Sequence, residues 1–285
     1  MKNITRVNLT AEEYHADKSR ISASGLKIIA GQSLCHFKNR QEGETEETAA
    51  LLFGEAYHCY VLEQEMFHAK YILFDETNRT EKDKGMTSNK NKEWKANFYA
   101  DAEAAGERVI TREDYEKIVS MRTALFQNAD IAALLTGGQA EVSFHFDVSG
   151  RGGKCRFDYI SAAGDVAIDL KTTINAAPRA FGMDAYRRKY HIQAAWYSDV
   201  LSAERGGADV QFYYIAQEKT APYIAQLYVV SPDVIQQGRA EYLAALEKLQ
   251  TAELFDEWPA YENPANYAGA RELFFPNFGY EGGEL

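Results

Sequence analysis

The chain has few cysteines, no long apolar run and no excess of positive charge, and each shortage removes a class of function. Cys35, Cys59 and Cys155 are its 3 cysteines, far apart and without a C-x-x-C pair, so neither a disulfide framework nor a zinc site is indicated. No stretch approaches the ~20 apolar residues of a membrane helix, and the opening MKNITRVNLTAEEYHADK lacks the apolar centre of a secretory signal. The expectation is a cytoplasmic protein with no membrane partner. A net charge of -11 argues against a general basic coat, because nonspecific nucleic-acid binding rests on Lys and Arg at phosphates. Any such surface has to be locally basic. There is also no P-loop, dinucleotide glycine fingerprint, Ser-x-x-Lys signature or tandem repeat.

The 285 residues are 46% hydrophobic and 26% charged, an ordinary balance for a folded protein and enough chain for one large domain. We read residues 1–285 as a single domain, with a mainly helical part over 1–135, a core over 138–250 and an irregular tail over 252–285.

The most informative stretch runs from Lys154 to Thr173, KCRFDYI, a turn, then VAIDLKTT. Strands alternate faces with period two. Cys155, Phe157 and Tyr159 are therefore expected on one face, and Lys154, Arg156 and Asp158 on the other. Val166, Ile168 and Leu170 make the apolar face of the next strand, opposite Ala167, Asp169 and Lys171. A turn over Ser161 to Asp165 sets Asp158 nearly across from Asp169. Two acids that close repel unless a cation lies between them, and hard oxygen ligands suit Mg²⁺ or Mn²⁺. Lys171, on the same face, can reach a phosphate oxygen or the attacking water. The arrangement suits phosphodiester hydrolysis.

Elsewhere, Ser22 or Ser24 can cap a short helix through Leu26 and Ile29, and a helix over about Thr48 to Glu65 carries Phe53, Ala56, Tyr57, Tyr60 and Val61 at helical spacing. His58 lies just off that stripe, one turn after Gly54. Asp75 to Lys95 reads as a long mobile polar loop. A helix over Arg112 to Asn128 is capped by Thr111, and a strand from Gln139 alternates Ala140, Val142, Phe144 and Phe146 with Glu141, Ser143, His145 and Asp147. Whether Glu141 joins the acidic patch depends on register and on any bulge. A helical region over Pro178 to Glu204 is expected to break near Gly182 and the basic run Arg187, Arg188, Lys189, with Tyr190, Gln193 and Tyr197 on one face. A second hairpin over 210–230 and a helix opened by Ser231-Pro232 complete the core.

Taken in order, a helix with His58, a strand with Asp158, a strand with Asp169-x-Lys171 and a helix with Gln193 and Tyr197 resemble the PD-(D/E)XK nuclease superfamily. Within it the sequence resembles the RecE-like exonucleases of phages and prophages, through ISASGLKII, LLFGEAYHCYVLE, KCRFDYI, IDLKTT, YHIQAAWYSD and DEWP. The proline usual before the first acid is replaced by Phe157.

The resemblance implies a mixed α/β fold, restriction-endonuclease-like, with a central mixed sheet built on an antiparallel meander and flanked by helices. It implies a 5′-3′ exodeoxyribonuclease that leaves 3′ overhangs on duplex DNA for recombination, with Mg²⁺ or Mn²⁺ held by Asp158, Asp169, His58 and Glu141. Lys171 would position the attacking water and Gln193 the scissile phosphate. Arg156, Arg179, Arg187, Arg188 and Lys189 would face DNA, joined by Tyr197, which also supports its helix. Partners would be double-stranded DNA ends, further copies in a homo-oligomeric ring such as a tetramer, and a RecT-like annealing protein, for which the acidic tail GYEGGEL is a docking candidate. Two alternatives stand beside this reading. One is a CRISPR-associated or AddB-like iron-sulfur nuclease, given Cys35. The other is a DNA-end-binding module with little or no chemistry.

Overall fold

The computed structural model describes residues 1–43 and 48–261; most of the acidic stretch after Glu42 and the GYEGGEL tail lie outside them. The chain begins with β1 (Lys2–Val7), α1 (Ala11–Ala16), α2 (Ala23–Gly31) and α3 (Leu34–Glu42). There follow α4 (Ala49–Leu62), α5 (Gln64–Lys70), β2 (Tyr71–Phe74), α6 (Asn89–Ala105), β3 (Arg108–Thr111), α7 (Arg112–Phe126) and α8 (Ala129–Leu134). The remainder is β4 (Gln139–Val148), β5 (Arg151–Ile160), β6 (Val166–Thr173), α9 (Pro178–Arg187), α10 (Tyr190–Glu204), β7 (Gln211–Glu218), β8 (Ala225–Val229) and α11 (Pro232–Phe255).

Local chemistry sets these boundaries. The hydroxyls of Ser22, Thr48, Thr111 and Ser231 accept the N–H groups of Gly25, Leu51, Asp114 and Val234, starting α2, α4, α7 and α11. Between β4 and β5 the turn is only Ser149 and Gly150, both with positive φ, the two-residue geometry that matches strand twist. Ser161 closes the next hairpin by donating its N–H to Val166 O at 2.9 Å, while Gly164 supplies a φ of 71°.

The main sheet has the order β1-β4-β5-β6-β7-β8, and β2 pairs with β3 in a small parallel ribbon. β4, β5 and β6 form an antiparallel meander, whereas β6 and β7 run parallel, so the sheet is mixed. The fold is mixed α/β. Two apolar layers cover it. One joins α2, α3, α9, α10 and α11 around Trp196, Leu26 and Phe212; the other joins α4, α5, α7 and α8 around Tyr57, Phe67 and Met121. Tyr57 donates its hydroxyl to Gln217 of β7, whose amide nitrogen donates to Met121 O at 2.7 Å, so α4 is fixed to both the sheet and α7.

Several expectations are corrected. The mobile loop over 75–95 is a structured connection: fully buried Asn91 donates to Glu81 O, Lys84 O and Gly85 O and accepts the Glu81 N–H, and α6 already begins at Asn89. The expected break in the 178–204 helical region falls within the basic run, at Lys189, whose φ is 57° and whose ammonium is held by Glu241 of α11 at 2.9 Å; only the part of the expectation at Gly182 is corrected, since that residue stays inside α9. Residues 252–255 continue α11, inside the stretch expected as an irregular tail; residues 262–285 of that stretch lie outside the described residues.

Candidate active site

Glu141, Asp158 and Asp169 form a row across β4, β5 and β6. The pairs Ala140–Tyr159 and Val142–Phe157 set Glu141 opposite Asp158, and the pair Tyr159–Ile168 continues to Asp158 opposite Asp169. At this row the pleat changes phase. Val142 and Phe157 pack in the layer of α10, but Ala140 and Tyr159, two residues away on the same strands, pack in the layer of α4. Regular alternation would put them on one face. Glu141 absorbs the change with a φ of 55°, and the expectation that Phe157 and Tyr159 share a face is corrected accordingly.

β5 and β6 pair only at Tyr159–Ile168 and Ile160–Ala167, whereas β6 and β7 pair from Val166 to Thr173. Beyond Ile168 the Leu170 N–H donates to Asp158 Oδ2 at 2.8 Å instead of to a strand carbonyl. The cleft is therefore reached from both layers: His58 enters from α4 and Gln193 from α10.

Ligand atoms of His58, Glu141 and Asp158 lie within 4.8 Å of one another, with His58 Nδ1 3.5 Å from Asp158 Oδ2. Asp169 forms the floor, its side chain 1% exposed against 21% for Lys171. Its Oδ2 accepts Gln193 Nε2 at 2.5 Å. Its Oδ1 touches the Lys171 ammonium as an ion pair, without an aligned hydrogen bond. Above His58 there is space: a Cβ on Gly54, one turn earlier, would meet nothing within 4 Å.

Burial and the Asp169 charge push the Asp158 carboxyl up to about 7, and burial and Asp158 raise Glu141 as well. For Lys171, burial acts downward but Asp169 and Asp158 outweigh it, so the pKa is raised and the ammonium persists. Burial, then Lys171, lower that of His58, which leaves a neutral imidazole at pH 7. Crowded acids whose pKa values are pushed up, an imidazole among them whose pKa is pushed down and a buried Asp169 oxygen met only by the Lys171 ammonium are what a site for a divalent cation presents before the cation arrives. His58, Glu141 and Asp158 fit such an ion, with Asp169 beside them.

Other expected residues are placed differently. Arg156 donates to Glu141 Oε2 at 2.5 Å, to Ser143 Oγ and to Leu9 O; with its side chain 13% exposed, it steadies the acidic row and is not a surface contact. Tyr197 is a core residue, packed on the rings of Phe157 and Phe212, which corrects its place among DNA-facing groups. Lys189 is committed to Glu241. Arg188 is exposed and paired with Asp184, while Arg179 and Arg187 are exposed on α9 with no ion pair among the described residues. Two residues of the cleft were not foreseen as site residues: Lys27, which donates to Gln193 Oε1 at 3.4 Å, and Tyr190, whose ring centre is 5.1 Å from the Lys171 ammonium. The available signal was a lysine inside the apolar helical run GLKII. Cys59 and Cys155 are buried in opposite layers and Cys35 is exposed on α3, so these three cannot share a cluster.

No curated protein matches the chain. Among solved structures, a "Putative exonuclease" from Eubacterium rectale shares the fold at a TM-score of 0.62 and 17% identity, over 95% of this chain and 96% of that one. SSO0001 (TM-score 0.26, 15% identity, 67% of this chain and 85% of that one) and VC1899 from Vibrio cholerae (TM-score 0.21, 12% identity, 84% and 62%) are too distant in structure to carry an argument. Among the described residues no helix is long and apolar enough to cross a membrane. Residues 22–270 match the family described as a PDDEXK-like domain of unknown function (DUF3799), and with that span covered, the chain belongs to this family of the PD-(D/E)XK nuclease fold.

Proposed function

We propose that the protein is a Mg²⁺-dependent exodeoxyribonuclease that degrades duplex DNA from 5′ ends and leaves 3′ single strands for recombination. The observation that carries the reading is the row Glu141, Asp158, Asp169 with Lys171 at the point where β5 and β6 part and His58 above it. When bound there, the ion supplies Lewis-acid stabilisation of the phosphate charge and an acidified water.

The protein's own groups do the rest. Lys171, kept an ammonium by its acids, donates to the attacking water or a phosphate oxygen and sets the line of attack. Gln193 fixes the Asp169 carboxylate in one rotamer by holding Oδ2. Arg156 does the same for Glu141. Arg179 and Arg187, exposed on α9, and Arg188 at its end are the groups this reading assigns to backbone phosphates, contacts that position DNA without reading its bases. The RecE-like motif order supports the 5′ polarity, a ring of copies around DNA and a RecT-like annealing partner. A ring lined by these arginines reconciles the net charge of -11 with an anionic substrate.

Linear duplex DNA labelled at each 5′ and 3′ end, incubated with Mg²⁺ or EDTA, tests the reading. Metal-dependent loss of the 5′ label from linear DNA only, absent in Asp169→Ala, supports it. Cutting of circular plasmid as readily as of ends replaces it with an endonuclease, and metal and DNA binding without cleavage replaces it with an end-binding module.

A further inference from the structure

Lys27 enters the cleft from α2, on the layer opposite to the one that supplies His58. Its ammonium donates to Gln193 Oε1 at 3.4 Å and lies 5.5 Å from the centre of the Tyr190 ring, the same ring that Lys171 approaches at 5.1 Å. Among the described residues no carboxylate is within ion-pair distance of it. Burial, followed by the neighbouring Lys171 charge, pulls its pKa down to about 8. Two ammonium groups therefore share one desolvated pocket in which Lys171 alone has an acid partner.

A cation kept from water beside another cation is unfavourable unless an anion completes the site. We infer that Lys27 is a substrate-contacting residue that, with Lys171, flanks one phosphodiester phosphate at the cleavage site. Gln193 ties the two halves of that site together: its Nε2 is spent on Asp169 and its Oε1 on Lys27. The phosphate contact expected of Gln193 thus passes to Lys27, and Gln193 becomes the residue that positions it. This inference rests on the phosphodiesterase reading above, and a lysine held only by its aromatic neighbour is the alternative.

The test compares wild type, Lys27→Met and Lys27→Arg in steady-state hydrolysis of a short linear duplex with Mg²⁺. Thermal unfolding and DNA-free Mg²⁺ binding are followed in parallel. Loss of one charge-assisted contact in a closed site typically costs about 10²-fold, so kcat/KM should fall by about that factor in Lys27→Met and recover most of it in Lys27→Arg, with Tm and Mg²⁺ affinity unchanged. Lys27→Gln, which keeps a polar group near Gln193, is the second neutral variant if the Met variant loses its fold.

Equal kcat/KM in wild type and a folded neutral variant overturns the role of Lys27 while leaving the nuclease reading intact. If wild type cuts no DNA, the nuclease reading fails, and binding of a deoxynucleoside 5′-monophosphate in Ca²⁺ decides about Lys27. Binding by wild type and Lys27→Arg but not by Lys27→Met retains the phosphate subsite; equal binding by all three, or none by any, removes it.

Discussion

Asp158 accepts the backbone N–H of Leu170 at 2.8 Å, so a side chain of β5 completes the hydrogen bonding of β6 at the point where the two strands stop pairing. A carboxylate with that duty cannot turn away from the cleft without leaving a buried donor unpaired. Its placement beside Asp169 is thereby fixed before any cation binds.

Metal-free stability should fall with pH. An acid whose folded pKa is raised stabilises the fold fully below its unfolded value and loses that contribution as pH rises through its folded value. For Asp158 the window runs from 3.8 to about 7. In EDTA, wild type should lose stability across that window relative to Asp158→Asn, by a few kcal/mol at the ~1.4 kcal/mol per pKa unit of linkage. Urea unfolding of both proteins at pH 5 and pH 8 measures it; parallel curves would place the burial cost elsewhere.

Divalent-ion binding should release a proton below that pH and none well above it, since the ligand form of Asp158 is the carboxylate. Affinity should rise by up to about tenfold per pH unit on the acid side and level off beyond about 7. Calorimetric titration of Mg²⁺ in two buffers of different ionisation enthalpy reads the proton directly.

Lys171→Ala should lower DNA cleavage by at least ~10²-fold while duplex binding, measured in Ca²⁺, persists. The same variant leaves Asp169 buried without its cation, so its metal-free form should unfold earlier than wild type and regain more on adding Mg²⁺. A variant that cuts normally would remove Lys171 from the chemistry.

Gly238→Ala should be strongly destabilising. A Cβ there would stand 2.0 Å from His191 O, where α11 crosses α10 backbone to backbone. The helices would have to separate, and overpacking of that kind costs ~1–3 kcal/mol or more. Because α10 carries Gln193, metal affinity should weaken in the same variant; thermal unfolding and Mg²⁺ titration report the two effects separately.

Much of this architecture was legible because local chemistry and tertiary structure agree. The hairpin from Lys154 to Thr173 announces itself by alternation and a turn with Gly164, and α4, α7 and α11 by Thr48, Thr111 and Ser231-Pro232. The strand β1 is mostly exposed at the sheet edge and carries little apolar pattern, and β2 and β3, although β2 is wholly apolar, are four residues each and too short for an alternation to show.

At the site, sequence indicated which groups carry charge but not which charge is already spent. Arg156 is held by Glu141 of the strand paired with its own, a contact set by register, and Lys189 by Glu241, far away in sequence. Tyr197 shares a helical face with Gln193, yet the layer of Phe157 and Phe212 covers it. Lys27 was passed over for the opposite reason: its one signal, a lysine inside the apolar run GLKII, reads as a solvated face until the helix is docked.

The change of pleat at Glu141 and Asp158 also decides how the molecule holds together. His58 belongs to a helix packed in one apolar layer, and Gln193 to a helix packed in the other; the acidic row is the seam between them. A cation seated there would take His58 from one layer and carboxylates of the sheet whose neighbour Asp169 is held by Gln193 from the other, so the ion would link the two layers through the strands. Loss of the ion should loosen the halves from each other before it melts either one, so catalytic readiness and the cooperativity of folding share a single bolt.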